Sequence, residues 1–420
     1  VGVMGPKSPD MTGPLAAMID VTRDLGTTFN LTELLERVAA AAQRTLGCDR
    51  ASVFLYDAAV DELYSQVATG VEQLRFSAKS GIAGQAVQTR TAILVPDAYA
   101  DPRFNRAIDA KTGYRTHNML TFPLVGHDGS VVGVLQVLNK IDGDFTTTDE
   151  MLADALSKLA GVAIERQMLL DEYREKCKLE HDLNVARVIQ QSLLPAAGPQ
   201  VPGYDIAGWN KPADETGGDC FDFWTMPDGG LAFLVADATG HGIGPALLVA
   251  ACRSILRGVA RLSDDLSVLT GHLNDLLCED MPVGRFVTAC FGILDPDGNT
   301  LACVGAGHGP QLHLRAASGT VEELPPTGPL FGVMPGAEFE EPAPVAIASG
   351  DLFVVLTDGF HEWLGADKTQ YGMERVIETL SAHRDRPAAE LIQHLYADVL
   401  RFAQGTPQQD DLTIVLIKRL

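Results

Sequence analysis

The chain lacks a C-x-x-C pair, a basic patch, and any apolar run of the ~18 residues a membrane span requires. Its seven cysteines (Cys48, Cys177, Cys220, Cys252, Cys278, Cys290 and Cys303) are odd in number and dispersed, which argues against a disulfide framework and predicts reduced thiols in a cytoplasmic protein. Lysine and arginine total 32 against 55 acids, a formal charge of −23, so neither nucleic acid nor an anionic membrane is expected as a partner. Residues 1–14 (VGVMGPKSPDMTGP) are rich in Pro and Gly, have no signal-peptide apolar region, and read as a disordered lead-in. What the chain does have is 420 residues, 46% of them hydrophobic, enough for two or three cores and therefore at least two domains.

Aspartates stand at the ends of several apolar runs. Residues 231–236 (LAFLVA) lead into Asp237 and then into Thr239-Gly240-His241-Gly242, a pattern that reads as a buried strand closed by a turn. A carboxylate at the end of a buried strand is costly unless a cation or a hydrogen-bond donor meets it. Asp219 lies 18 residues upstream, in a turn after two glycines that allow close backbone approach. The pattern recurs in 351–359 (DLFVVLTDG), which carries Asp358, and in Asp410-Asp411 ahead of the apolar run 412–417. Oxygen-only donors on strand ends suit a hard cation such as Mg²⁺ or Mn²⁺, and no Cys or His accompanies them at zinc spacing.

In order and spacing, GGDCFDF, VADATGHGIGPALL, GRFVTACFGILD, GAGHGPQL, LTDGFHEW and DDLTIVLI resemble the motifs of the metal-dependent (PPM) serine/threonine protein phosphatases, SpoIIE/RsbU branch, from about residue 204 to 420. The resemblance implies an αββα sandwich over 196–420 that holds two Mn²⁺ or Mg²⁺ ions. Asp237 would bridge the ions, the Ala238 carbonyl would hold one of them, Asp358 and Asp410 would complete the set, and Asp219 would support it directly or through water. Asp237 and Asp219 would then be the catalytic acids, for hydrolysis by water without a covalent phosphoenzyme. Asp222 and Asp411 are neighbouring acids whose roles the sequence does not separate from those of Asp219 and Asp410. The chain departs from eukaryotic members, which carry a histidine where it has Thr239; His241 is displaced by two positions and is an accessory candidate or a turn residue. No phosphate-binding arginine aligns, His308 is expected to organise a turn, and Trp224 and Trp363 are expected to pack. The implied substrate is a phosphoserine or phosphothreonine on a separate regulator protein, a STAS-domain anti-sigma factor antagonist.

Residues 15–165 read as a small α+β domain. Helical spacing in 15–25 and 31–46, with Asn30 or Thr32 as cap, precedes strand-like runs at 51–56, 63–68, 93–95, 120–125 and 131–138, with a short helix at 81–90. SVFLYD, SGIAGQAVQTR, VPDAYADPRF and GVLQVLNK resemble a GAF sensor domain. Asn139, Lys140, Phe145, Asp149 and Glu150 have the N-K-x4-F-x3-D-E form of cyclic-nucleotide-binding GAF domains, although a Lys140–Asp149 ion pair would be a structural clamp. Cyclic AMP, cyclic GMP, another small ligand and no ligand at all remain open.

Helical pattern begins at Thr148 and runs without Gly or Pro from 162 to 194, with 166–195 as a linker that Pro195 ends. Its apolar residues (Leu152, Leu156, Leu159, Ala163, Leu170, Tyr173, Leu179, Leu183, Ala186 and Leu193) approximate interrupted heptads, which suggests a coiled-coil homodimer; a helix packed on its own domain is the alternative. The whole chain therefore reads as a GAF-regulated phosphatase, the rival being a ligand-sensing adaptor with a non-catalytic phosphatase-like module.

Overall fold

The computed structural model describes residues 30–65, 74–282, 284–340 and 343–420; the expected lead-in, the helix at 15–25 and the end of the strand at 63–68 lie outside the described residues. The chain forms two compact units that divide between Lys178 and Leu179.

In the first unit, α1 (Leu31–Leu46) begins where Asn30 accepts a hydrogen bond from the Glu33 N–H at 3.3 Å, and ends at Gly47 in the left-handed conformation. A six-stranded antiparallel sheet follows, ordered β3-β2-β1-β6-β5-β4. Its strands are β1 (Cys48–Asp57), β2 (Glu62–Tyr64), β3 (Arg75–Ser77), β4 (Ile93–Val95), β5 (Met119–Val125) and β6 (Val131–Lys140). Alternation along β1 sends Val53 and Leu55 to one core, shared with Leu34, Leu35 and Val38 of α1, and Phe54 to a second, shared with Ile82 and Val87 of α2 (Gly81–Thr89). β3 and α3 (Arg106–Thr112) are too short to show a period in the sequence. Helix α4 (Thr147–Leu193) is unbroken over 47 residues. Its Leu152, Leu156, Ala160 and Ile164 complete the α1 core, so the first positions of the expected heptad stripe belong to this unit's interior rather than to a helix seam. Between Met168 and Ile189 no residue of α4 is buried.

The second unit is an αββα sandwich. One sheet, ordered β14-β11-β10-β9-β8, comprises β8 (Asp219–Thr225), β9 (Leu231–Ala238), β10 (Val287–Asp295), β11 (Thr300–Ala306) and β14 (Val345–Ala346). The other, β13-β12-β15-β16-β7, comprises β7 (Tyr204–Lys211), β12 (Gln311–Leu314), β13 (Val321–Leu324), β15 (Leu352–Leu356) and β16 (Leu412–Arg419). Helices α5 (Ile243–Val259) and α6 (Leu266–Asp280) cover the outer face of the first sheet. Beyond the short α7 (Gly359–Glu362), α8 (Met373–Ala382) and α9 (Ala388–Ala403) cover the second. Between the sheets lie Phe221, Phe223, Leu231, Phe233, Val235, Phe353, Val355, Val415 and Ile417.

Candidate metal centre

Strand alternation decides which acids meet. Asp219 shares the inter-sheet face of β8 with Phe221 and Phe223, and Asp237 shares that face of β9 with Phe233 and Val235. The two acids are register partners across the β8–β9 ladder. Asp219 is therefore the first residue of a strand, not part of a turn. From the opposite sheet, Thr357 continues the inward face of β15 and donates its hydroxyl to Asp219 Oδ2 at 2.7 Å, while the Thr413 N–H of β16 donates to that hydroxyl at 3.0 Å. Asp358 caps α7, and Asp410 and Asp411 lead into β16.

These acids destabilise one another's charge. Burial, then the charges of Asp237 and Asp411, push the Asp219 carboxyl well above its ordinary range. Burial, then Asp358, Asp410 and Asp411, push Asp237 up to about 7. Burial raises Asp358, Asp410 and Asp411 as well. No lysine or arginine is ion-paired to any of the five among the described residues. Clustered carboxylates without a protein cation fit a hard metal ion, whose charge would remove the repulsion. Three donor atoms within 4.8 Å of one another occur, among the described residues, only at exposed His127 and Asp128 with half-buried Glu165, all of the first unit.

The structure separates the paired acids that the sequence left together. Asp411 is buried and holds backbone: its Oδ1 accepts from the Ala213 N–H at 2.7 Å and its Oδ2 from the Gly218 N–H at 2.5 Å. Asp410 is exposed and accepts from the Asp411 N–H at 2.8 Å, leaving its carboxylate towards Asp237 and Asp358. Asp222 points to the outer face of β8, away from the cluster. There its Oδ2 lies 2.8 Å from Arg253 Nε and 3.1 Å from Arg257 Nε, at ion-pair distance without hydrogen-bond alignment to Arg253. Arg257 in turn lies 5.7 Å from the Trp224 ring, which stacks on Phe291.

His241 is exposed and 3.1 Å from Asp214. The Ala238 N–H donates to the Gly218 carbonyl, and a Cβ on Gly218 would lie 2.7 Å from the Ala238 carbonyl oxygen, so only glycine fits there. His308 is buried, 3.1 Å from the Thr288 hydroxyl, and burial pushes it down to about 4, so it is neutral. Trp363 is buried and donates to Thr406 at 3.2 Å.

In the first unit, Lys140 Nζ lies 2.7 Å from Asp149 Oδ1 and donates to the Leu46 carbonyl at 2.7 Å, tying β6, α1 and α4 together. Burial works to raise Asp149, yet Lys140 and Thr146 hold it below the usual carboxylate range. Asn139, in the left-handed region, accepts from the His117 N–H at 2.7 Å, Phe145 is buried, and the Glu150 N–H caps onto the Thr146 carbonyl. None of these five lines the cavity of about 440 Å³ beside them, whose walls include Phe54, Phe76, Phe104, Met119, Thr116 and Gln136.

The GAF domain family matches residues 30–164, and Stage II sporulation protein E (SpoIIE) matches residues 227–420. The chain is a GAF domain fused to a SpoIIE/RsbU-type PPM phosphatase domain. Asp219 lies just ahead of the SpoIIE match. The chain is 23% identical to the phosphoserine phosphatase RsbU of Bacillus subtilis, over 62% of this chain and 76% of RsbU. It is 31% identical to the probable 3',5'-cyclic phosphodiesterase pde-5 of Caenorhabditis elegans, over 37% of this chain and 24% of that protein. The solved SiaA-PP2C domain of Pseudomonas aeruginosa superimposes with a TM-score of 0.50 at 25% identity, covering 59% of this chain and 98% of that domain. Against three of its curated relatives the chain spans between 8% and 41% of their length. Among the described residues no helix is long and apolar enough to cross a membrane.

The sequence reading missed Thr357, Arg253 and Arg257 of the SpoIIE-type domain and Gln190 at the end of α4, which support acids or backbone without being acids. For Thr357 a signal existed: it directly precedes Asp358 at the end of an inward-facing strand.

Proposed function

We propose that the protein is a signal-regulated, metal-dependent serine/threonine protein phosphatase whose substrate is a phosphoserine or phosphothreonine on a separate STAS-domain anti-sigma factor antagonist. The observation that carries this reading is the cluster of buried Asp219 and Asp411, half-buried Asp237 and exposed Asp358 and Asp410, with Asp237 pushed up to about 7 and, among the described residues, no lysine or arginine paired to any of them. Asp237, Asp358 and Asp410 would hold Mn²⁺ or Mg²⁺ together with the Ala238 carbonyl, and Asp219 would hold the set from below. Cations held there would supply an acidified water and offset charge developing on the phosphoryl oxygens. The protein's own part is positional: Thr357 fixes the Asp219 carboxylate, and Asp411 fixes the loop that delivers Asp219. His308, neutral and enclosed, is unsuited to donate a proton from solvent, and exposed His241 near Asp214 is left as an accessory group.

The GAF cavity, aromatic-walled and large enough for a small ligand, is proposed as the sensory site, with cyclic AMP and cyclic GMP as first candidates in view of the pde-5 resemblance. Signal would pass along α4. Its exposed Leu169, Leu179, Val185, Val188 and Ile189 support homodimerisation through that helix. The test is hydrolysis of a phosphoserine peptide with Mn²⁺, with Mg²⁺ and with chelator, beside thermal stabilisation by each cyclic nucleotide. Activity in neither metal would reject the enzyme reading and favour the adaptor.

A further inference from the structure

The chain entering β10 lays a guanidinium across the turn that follows Asp237. β9 and β10 pair Asp237 with Thr288 and Ala238 with Val287, and beyond the strands the Thr239 N–H donates to the Phe286 carbonyl at 3.2 Å. This brings Arg285 beside Gly240. Its Nη1 donates to the Thr239 carbonyl at 2.7 Å, and a Cβ on Gly240, whose φ is +95°, would lie 2.6 Å from that nitrogen, so glycine leaves the space the guanidinium takes. The same turn carries the Asp237 carboxylate and the Ala238 carbonyl, both assigned above to the cations. Elsewhere on the surface, Arg75, Arg315, Arg386 and Arg401 pair with acids. Arg285 is exposed and has no carboxylate partner among the described residues, and the Thr239 carbonyl occupies only one of its five N–H groups.

We infer that Arg285 binds the phosphoryl group of the substrate, a role for which the sequence motifs supplied no arginine. The inference rests on the phosphatase reading above. A phosphoserine dianion approaching a cluster of aspartates, on a chain of net charge −23, needs positive charge beside the acids as well as among them. A guanidinium meets that need: it stays protonated, and its planar fork engages two phosphate oxygens at once. Because one N–H is already held by Thr239, the head is fixed at the rim of the centre and has less freedom to lose when the substrate docks. The product serine offers the fork no anion, so the same contact favours phosphorylated over dephosphorylated partner. It is made to the bound substrate and to the transition state alike, and therefore acts on KM more than on kcat.

The test uses the full chain with Arg285→Met, which removes the charge and the fork, and Arg285→Lys, which keeps the charge alone. KM and kcat are measured on a phosphoserine peptide and Mn²⁺ affinity by calorimetry. Binding to the Mn²⁺-loaded chain is read by fluorescence anisotropy with a labelled peptide carrying the non-hydrolysable phosphonate analogue of phosphoserine, beside the same peptide with serine. Arg285→Met should raise KM and weaken phosphonate-peptide binding by about 10- to 50-fold, the effect of losing charge-assisted hydrogen bonds, and Arg285→Lys should recover part of that loss. In both variants kcat should stay within about threefold and Mn²⁺ affinity within about twofold of wild type, with serine-peptide binding unchanged. Phosphonate-peptide binding within about threefold of wild type in Arg285→Met overturns the inference, as does a wild type that does not prefer the phosphonate peptide. A parallel loss of Mn²⁺ affinity also overturns it, reducing Arg285 to a support for the 239–240 turn. If the wild type prefers the phosphonate peptide but hydrolyses no phosphopeptide, and Arg285→Met abolishes that preference, the arginine's role stands and the phosphatase reading falls.

Discussion

Asp219 and Asp237 sit directly opposite each other on adjacent antiparallel strands, two carboxylates in register at the end of an otherwise apolar layer between the sheets. Burial, then the charge of Asp237, holds the Asp219 carboxyl well above its ordinary range, while burial and then the charges of Asp358, Asp410 and Asp411 push Asp237 up to about 7. A divalent cation held by these acids would relieve that repulsion.

Asp222 belongs to a different job. With its carboxylate buried against Arg253 and Arg257 beneath α5, Asp222→Asn should destabilise the phosphatase domain by about 3–5 kcal/mol, the usual cost of breaking a buried ion pair. Mn²⁺ affinity of the folded variant, measured by calorimetry, should stay within about twofold of wild type. A large loss of affinity with unchanged stability would move Asp222 into the metal centre.

His308 predicts an acid-sensitive term in stability. Its ordinary value is 6.5 and burial lowers it to about 4, so between those values the unfolded chain binds a proton that the folded chain refuses. Stability from this group is complete above pH 6.5 and is lost as the pH falls towards 4. The neighbouring acids are shifted upwards and act in the opposite direction, so the comparison is between wild type and His308→Gln. By pH 4.5 the wild type should have lost about 2–3 kcal/mol relative to the variant, read by denaturant unfolding.

The Lys140–Asp149 pair predicts a structural effect confined to the GAF domain. Lys140→Met leaves Asp149 buried without its cation and should cost about 3 kcal/mol in that domain's unfolding. Because neither residue lines the cavity, the affinity of the folded variant for any cyclic nucleotide that stabilises the wild type should be unchanged. A selective loss of ligand affinity would make the motif a binding element.

Much of this was legible in the sequence. The αββα sandwich was implied by the family resemblance, α1 with a cap at Asn30 or Thr32 by helical spacing, and the positions of Asp237, Asp358 and Asp410 by apolar runs that end or begin at aspartate. What escaped was set by tertiary packing. The strand position of Asp219 depends on pairing with β9, which Gly217-Gly218 disguise as a turn. The division between Asp410 and Asp411, one exposed and one holding the 213–218 backbone, depends on a single residue's alternation at a loop–strand junction. The early heptad positions Leu152 and Leu156 matched a coiled coil because a helix packed on a sheet uses nearly the same period.

The most direct test is Asp237→Asn in the full chain, assayed for hydrolysis of a phosphoserine peptide beside Mn²⁺ calorimetry. A neutral amide at 237 would hold a divalent cation far more weakly than the carboxylate, and loss of the charge stabilisation such a cation would supply is worth several kcal/mol at the transition state. The predicted result is a wild type that chelator silences and Mn²⁺ or Mg²⁺ restores, and a folded variant with weakened Mn²⁺ binding and less than about a tenth of wild-type turnover. A variant that keeps more than about a tenth of that turnover, or a wild type indifferent to chelator, would contradict the assignment of Asp237 and of the metal centre built around it.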